Sequence, residues 1–226
     1  MKAIVCIGLA LVLLVIGAPS GAADTDTVQY RPPARDLAPR RVGGNARGVP
    51  ASLPSVAVLA PDHLALTVLE RPTLFWYLSA PTQVRIEIVI VDPRRAAPLV
   101  EAVVKGERAG VQAFDLGQHG ARLEPGVAYE WSVAVVADPA QRSRDVVAGG
   151  AVMRVEASDA LRAKLAGATA EARAGVLAGE GVWYDALAAV SAPPGQLADD
   201  RSMRVRRAGL LDQAGLSEVA AFERRP

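Results

Sequence analysis

The sequence predicts a mainly β protein with a small α-helical region at its C-terminal end, and two changes in residue periodicity indicate this. Between residues 56 and 157, short runs rich in Val, Ile and aromatic residues alternate with turn-forming Pro, Gly and Asp residues. From Ser158 onward the apolar residues recur at helical spacing. We therefore expect an antiparallel β-sandwich of roughly seven or eight short strands over residues 56–157, followed by helical hairpins over residues 158–226.

The first 23 residues have the pattern of an export signal. Lys2 precedes an uninterrupted apolar run, Ala3 to Gly17, which is shorter than a membrane span but has the length found in signal peptides. The small residues Gly21-Ala22-Ala23 follow, so we expect cleavage after Ala23. An uncleaved membrane anchor is the alternative. The sequence thus predicts an exported protein, periplasmic or extracellular, with no transmembrane segment in its mature chain.

The charge and cysteine content of the chain exclude several classes of protein. Cleavage removes Lys2 and no acidic residue, so the 25 basic residues become 24 and equal the 24 acidic ones. A balanced chain lacks the basic surplus of a nucleic-acid-binding protein. The single cysteine, Cys6, lies inside the expected signal peptide, so the mature chain has neither a disulfide nor a cysteine nucleophile.

Residues 24–55 are expected to form an extended, solvated arm. Pro and Gly residues punctuate this segment, and no apolar periodicity runs through it. Five arginines make it locally basic, so a more specific interpretation is an arm that contacts an anionic envelope surface or a partner protein. Its candidate contact residues are Arg40, Arg41 and Arg47. The glycine-rich stretch 43–48 lacks the spacing of a phosphate-binding loop.

Two runs indicate how the sandwich is layered. In Val84–Val91 the even positions are all apolar, whereas the odd positions begin charged and end apolar. That pattern predicts a strand with one buried face that becomes covered on both faces toward its end. In Leu74–Leu78 both faces carry bulky residues, which is typical of a central strand.

Residues 123–133 carry the most specific signal of fold. Their sequence, Leu-Glu-Pro-Gly-Val-Ala-Tyr-Glu-Trp-Ser-Val, resembles the turn into a late strand of fibronectin type III and related immunoglobulin-like domains. In those folds a tyrosine hydroxyl bonds to the backbone at this corner, and Tyr129 has the corresponding place. Trp131 and Val133 follow at alternate positions and are expected in the core. The predicted class is therefore an immunoglobulin/fibronectin-III-like antiparallel β-sandwich followed by a small C-terminal α-helical region.

The helical region is expected to hold five helices joined by short loops. Ser158 is a suitable N-cap for the first helix, and Gly167 is a suitable stop. Trp183 is expected to seal the helical hairpins against the sandwich. The remaining helices are expected over residues 169–178, from about Trp183 to Val190, over residues 200–211 and, capped by Ser217, over residues 218–222.

No pattern in the sequence predicts catalysis, a cofactor or a metal. The two histidines, His63 and His119, lie beside turns without a second ligand at metal spacing, and no Gly-x-Ser-x-Gly motif occurs. Acidic residues near the strand ends leave a calcium site or a carboxylate-dependent hydrolase as alternatives, although aspartate also favours turns. These residues are Asp92, Asp115, Asp138 and Asp145.

Aromatic residues provide further candidates for binding. Phe75 and Tyr77 share one face of their strand and are expected either in the core or as a platform that stacks on a sugar ring. Tyr184 and Asp185 follow Trp183 at the start of the third helix, where an acidic residue interacts favourably with the helix dipole. We interpret Tyr184 and Asp185 either as ordinary residues of a helix start or as part of a binding surface.

A series of short motifs runs along the chain in a fixed order. The motifs are Tyr30-Arg31-Pro32-Pro33, Pro39-Arg40-Arg41, Gly43-Gly44-Asn45-Ala46-Arg47-Gly48, Leu59-Ala60-Pro61, Leu66-Thr67, Arg71-Pro72-Thr73-Leu74-Phe75-Trp76-Tyr77, Leu123 to Trp131, and Gly181 to Leu187. Their joint order, over about residues 28–217, resembles the domain of unknown function 928 family of exported bacterial proteins. The resemblance implies no activity, but it implies that the arginine- and glycine-bearing arm belongs to the domain.

Taken together, the sequence favours a non-enzymatic envelope protein that binds a protein or peptide partner and needs no cofactor. A carbohydrate-binding module acting on envelope polysaccharide is the alternative, and a carboxylate-dependent hydrolase is the third candidate. The candidate partner-binding residues are Arg40, Arg41, Arg47, Tyr77, Tyr184 and Asp185.

Overall fold

The computed structural model describes residues 28–33, 41–43, 53–191 and 200–226, which form eight β-strands and five α-helices. The predicted class, mainly β with helices at the C-terminal end, is confirmed. The strands are β1 (Val56–Val58), β2 (Ala65–Thr67), β3 (Thr73–Leu78), β4 (Thr82–Val91), β5 (Val100–Gly106), β6 (Gly110–Asp115), β7 (Ala128–Val136) and β8 (Val146–Arg154).

These strands form two sheets. One has three strands in the order β1-β3-β6, and the other has five in the order β2-β8-β7-β4-β5. The pairings among these strands are antiparallel except that of β2, which runs parallel to β8 and pairs Ala65 with Val152. The expectation of an antiparallel sandwich is therefore wrong for the edge strand β2, which is parallel to its neighbour. The immunoglobulin-like order of strands stays a prediction.

The core lies between the two sheets and is built from alternate residues of each strand. Ile88 of β4 lies opposite Val133 of β7, and Ile90 lies opposite Trp131. All four side chains are buried, as the alternation of the sequence predicts. Burying an isoleucine or valine side chain stabilises a fold by roughly 1.5–3 kcal/mol, so rows of buried residues such as these stabilise the sandwich.

The outer face at the end of β4 is open, and the prediction of cover on both faces there is wrong. Val89 is half-buried and the side chain of Val91 is 38% exposed. The physical reason is the position of the helices: they pack on β2, β3 and β6 instead of on the outer face of β4. A shallow groove between Val42, Val91 and Val147 therefore follows this face.

The predicted bond at the corner before β7 is present. The backbone N–H of Glu124 donates to the Tyr129 hydroxyl at 3.0 Å, and the tyrosine ring is buried. Gly126 has a φ of 76°, which a glycine adopts without strain, so the turn can fold back over the ring. The contact fixes the entry of the chain into β7.

Five helices follow the strands, as predicted, and are α1 (Asp159–Ala166), α2 (Ala170–Gly179), α3 (Trp183–Ala189), α4 (Arg201–Gln213) and α5 (Ser217–Glu223). The Ser158 hydroxyl accepts a hydrogen bond from the Leu161 N–H at 3.1 Å, which confirms Ser158 as the cap of α1. The expected cap of α5 is wrong, because Leu216 occupies the N-cap position and Ser217 is already helical. None of the helices in the described residues has the length and apolar character needed to cross a membrane.

Parts of the expected solvated arm belong to the packed structure. Tyr30 is only 5% exposed, and its N–H donates to the Gln213 Oε1 at 2.8 Å. The Gln213 side chain in turn donates to the carbonyl of Val28 at 2.8 Å. Further along, Val42 exchanges two backbone hydrogen bonds with Gly149 at the edge of β8. The expectation of a solvated arm is therefore wrong for Val28 and Tyr30, which the core encloses, whereas Val42 bonds to β8 through its backbone and is 59% exposed.

Candidate functional site

Two of the predicted partner-binding residues meet in one groove. The β1 groove, as we call it, has a volume of about 180 Å³ and lies between the arm, β1 and α5. Arg41 and Tyr77 both line it. The other lining residues are Val42, Gly43, Ser55, Val56, Ala57, Val58, Leu216, Glu218 and Val219. Arg40 and Arg47, also predicted as contact residues, lie outside the described residues.

One wall of the groove is the outward edge of β1. Ser79 N–H donates to the Ser55 carbonyl at 3.0 Å, and Leu59 N–H donates to the Phe75 carbonyl at 2.8 Å, so the residues on either side of β1 bond toward β3. Antiparallel strands alternate between residues that bond to the neighbour and residues that face away. The N–H and C=O groups of Val56 and Val58 therefore point away from β3. Among the described residues no strand lies on that side.

Arg41 holds the opposite wall in place. Its Nη1 donates to the Ala60 carbonyl at 2.8 Å and to the Ala214 carbonyl at 3.0 Å. Ala214 is the C-cap of α4, where a cation satisfies free carbonyl groups and interacts favourably with the helix dipole. The Arg41 guanidinium thus ties the arm to Ala60, just after β1, and to the turn between α4 and α5, so its observed contacts are structural.

Tyr77 forms the aromatic part of the groove. Its ring packs edge-on against Phe222 of α5, with ring centroids 5.2 Å apart, and the side chain is half-buried. Burial raises the pKa of the Tyr77 hydroxyl, so the phenol is neutral and can donate a hydrogen bond. Phe75, on the same face of β3, is only 3% exposed. The expected pair of rings for stacking a sugar is therefore not formed.

Glu218 brings an unpaired charge to the groove. It lies in the first turn of α5 and is exposed. Within the part of the chain that the structure describes, its carboxylate has no ion pair, whereas Arg41 is engaged by backbone carbonyls. Leu216 and Val219, its neighbours in the lining, are buried and apolar. The groove thus combines apolar walls, a phenol, an acid and β1 backbone groups that no described strand pairs.

Tyr184 and Asp185 are not surface residues, and the prediction of a binding surface there is wrong. The side chain of Tyr184 is 0% exposed; its hydroxyl donates to the Ala151 carbonyl and accepts from the Trp131 Nε1, both at 2.9 Å. Asp185 is 6% exposed and accepts from the Thr67 hydroxyl. The reason is that α3 is enclosed between α2 and the strands β2 and β3.

Burial changes the acidity of Asp185. Its second carboxylate oxygen accepts from the Val68 N–H at 2.7 Å, the same distance as the bond from Thr67. Loss of solvent raises the pKa of Asp185 to about 6, although these two hydrogen bonds act in the opposite direction. The carboxyl group joins α3 to the end of β2.

Trp183 seals the helices against the sandwich as predicted. Its Nε1 donates to the Leu59 carbonyl at 2.8 Å, and its ring is fully buried. Tyr30 packs edge-on against it at 4.9 Å between ring centroids, and the Tyr30 hydroxyl lies 2.9 Å from the His63 Nε2. This role of Tyr30 was not predictable from periodicity, because no apolar periodicity surrounds the residue.

The aspartates near the strand ends serve separate structural roles. Asp92 pairs with Arg94 and Arg95, and the Arg94 guanidinium holds the pKa of the Asp92 carboxyl at about 2. Asp145 pairs with Arg142. The other two accept backbone N–H groups in turns: Asp115 from Gly117 and Asp138 from Ala140. The described residues contain no group of three or more His, Cys, Asp or Glu side chains that could hold a metal ion.

The fold and the groove define a mainly β protein with C-terminal helices and a strand edge that no other described strand covers. The chain belongs to the family described as Domain of Unknown Function (DUF928), whose model matches residues 42–223. This confirms the resemblance drawn from the motifs. The match begins at Val42, on the wall of the β1 groove, and includes all eight strands. None of the curated proteins compared with the chain matches it.

Proposed function

We propose that the protein binds an extended segment of another protein in the β1 groove. The observation that carries the proposal is that the N–H and C=O groups of Val56 and Val58 face a groove with apolar walls. An extended peptide that adds to such an edge gains main-chain hydrogen bonds, and pockets for alternate side chains give specificity. Tyr77 offers the aromatic surface on which such a side chain packs.

The size of the groove favours a peptide over a small molecule. Sites for drug-sized ligands have volumes of roughly 300–1,000 Å³, whereas this groove has about 180 Å³. That volume suits one or two side chains of a segment whose remaining residues lie along the surface. A polysaccharide is disfavoured, because Phe75 is buried and leaves Tyr77 without a second ring on its face.

The cellular setting of the proposal comes from the start of the chain. The pattern of residues 1–23 supports export, so the partner we expect is a protein of the cell envelope or its surroundings. The role is that of a non-enzymatic binding or adaptor module, since the acidic side chains near the strand ends are engaged in ion pairs and turns.

A peptide selection tests the proposal directly. Random linear peptides displayed on phage are selected on the purified protein, and the affinity of the selected peptides is measured for Tyr77→Ala and for Val103→Ala. Val103 is an exposed valine on β5, in the other sheet, and is the matched control. We expect Tyr77→Ala to weaken binding by about tenfold or more, as loss of an aromatic anchor does, and Val103→Ala to leave it unchanged.

Two results contradict the proposal. One is a selection that yields no peptide above background. The other is a set of peptides that bind wild type and Tyr77→Ala equally. Circular dichroism and thermal unfolding of both variants show that each remains folded, and Tyr77→Phe, which keeps the ring, retains most of the affinity.

A further inference from the structure

The charges of the β1 groove define what kind of segment fits there. Two charged side chains line the groove, Arg41 and Glu218. The Arg41 guanidinium donates to the carbonyls of Ala60, Ala214 and Gly215, so its hydrogen-bonding capacity is directed into the fold. Within the described part of the chain, a ligand therefore meets a carboxylate that forms no ion pair and a cation whose N–H groups are bonded to backbone carbonyls.

Among the described residues, the charged side chains near Glu218 have other partners. The nearby acid Asp212 pairs with Arg224, and Glu223 pairs with Arg207. The Arg225 guanidinium lies 5.2 Å from the centroid of the Phe222 ring, at the far end of α5. Burial raises the pKa of Tyr77, the Arg225 cation lowers it, and the Glu218 and Glu223 carboxylates raise it, so charges of both signs act at this hydroxyl.

We propose that the bound segment presents a lysine or arginine to Glu218 beside an apolar residue that enters the groove. This inference rests on the proposed function and specifies the partner. In an extended chain, side chains alternate between the two sides at a rise of about 3.3 Å per residue. An apolar residue can therefore pack on Tyr77 while a long basic side chain, one to three residues away, reaches the carboxylate.

Charge reversal tests this partner chemistry, and the peptide selection is the assay. Peptides selected on the wild-type protein are measured against Glu218→Gln, Glu218→Lys and Glu101→Lys. Glu101, on β5, is the matched control because it is also an exposed glutamate without an ion pair among the described residues. We expect a loss of about threefold for Glu218→Gln and about tenfold for Glu218→Lys, from the usual strength of exposed ion pairs and like-charge contacts.

The same variants give two further readouts. Glu101→Lys leaves the affinity unchanged, and raising the salt concentration weakens binding to wild type but not to Glu218→Gln, since screening acts on the ion pair. A second selection, performed on Glu218→Lys, exchanges the lysines and arginines of the recovered peptides for aspartates and glutamates.

The outcomes separate this inference from the proposed function. Peptides that depend on Tyr77 but carry no basic residue, or that tolerate Glu218→Lys, overturn the inference and leave groove binding in place. Absence of any peptide that depends on Tyr77 overturns both. A protein that forms dimers with β1 edges paired would show that a second copy occupies the groove, which also overturns the inference.

Discussion

At Asp185, burial and hydrogen bonding act on one carboxyl group in opposite directions. Bonds from Thr67 and Val68 favour the ionised form, whereas loss of solvent disfavours it and dominates, raising the pKa to about 6. The residue thus stabilises the contact between α3 and β2 most when it carries a proton. Near neutral pH the Asp185 carboxyl is ionised inside the fold, and this lowers the free energy of unfolding.

The first prediction concerns pH. The folded protein retains the Asp185 proton up to about pH 6, whereas the unfolded chain loses it near the ordinary value of 3.8. Within this window the folded state binds more protons than the unfolded state. The contribution of Asp185 to the free energy of unfolding therefore falls as pH rises from about 4 to 6, by up to about 3 kcal/mol. Above pH 6 the contribution is constant.

The variant Asp185→Asn isolates this effect, because it keeps the size of the side chain and removes the titration. We expect the difference in unfolding free energy between wild type and Asp185→Asn, measured by urea titration, to move in favour of the variant between pH 4 and 6. A difference that stays constant over this range would contradict the raised pKa.

A second prediction at the residue scale compares two buried tyrosines. Tyr184→Phe leaves both the Trp131 Nε1–H and the Ala151 carbonyl without their shared partner inside the core. Since an unsatisfied buried group costs about 1–3 kcal/mol, we expect a loss of roughly 2–4 kcal/mol. Tyr129→Phe removes one bond, from the Glu124 N–H, and should cost about 1 kcal/mol. The free energies of unfolding are measured by chemical denaturation. Equal losses for the two variants would contradict this prediction and would show that water takes over the hydrogen bonds of the Tyr184 hydroxyl.

At the scale of elements, two glycines have opposite roles. A Cβ at Gly106, the last residue of β5, would lie 2.8 Å from the Ile86 Cδ1 and 2.9 Å from the Thr82 Cγ2. Gly106 therefore permits β5 to close against β4. Gly175, inside α2, has no atom within 4 Å of such a Cβ. A glycine there adds backbone entropy to the unfolded chain without a packing role.

The matched substitutions follow from this contrast. Gly106→Ala should destabilise the protein by about 1–3 kcal/mol through overpacking. Gly175→Ala should stabilise it by about 0.5–1 kcal/mol through helix propensity. Thermal unfolding of both variants checks the pair, and a neutral Gly106→Ala would mean that the tip of β5 moves freely to accommodate a methyl group.

The elements also show where sequence reasoning succeeds. The cap of α1 at Ser158 and the alternation of Ile86, Ile88 and Ile90 in β4 are set by local chemistry, and both were predictable. The parallel pairing of β2 was not, because three residues carry no signal for strand direction. The open outer face beside Val91 was missed for a similar reason: residue type does not say which surface the helices cover.

The candidate groove was predictable only in part. Arg41 and Tyr77 were singled out from the sequence, but as separate features, because only the fold brings them together. Glu218 was expected in the last helix without a binding role. Tyr184 and Asp185 have the same sequence appearance whether a helix start is exposed or enclosed, and the packing of α3 between α2 and the sheets decides the matter.

At the scale of the whole molecule, the sandwich and the helices share one core. The buried cluster runs from Ile88 in the sheets to Trp183 and Leu210 in the helices, and Tyr30 from the arm completes it. Arg41 then anchors the arm to both β1 and the end of α4. The β1 groove thus lies where three parts of the chain meet, and its shape depends on all of them.

The most direct test of strand addition at β1 is the hydrogen exchange of individual amides, measured by NMR with and without a selected peptide. In the free protein we expect the Val56 and Val58 amides to exchange faster than that of Leu59, which bonds to the Phe75 carbonyl. Peptide binding should slow exchange at Val56 and Val58 by about tenfold or more and leave Leu59 nearly unchanged. A bound peptide that leaves both valine amides unprotected would contradict binding at this edge.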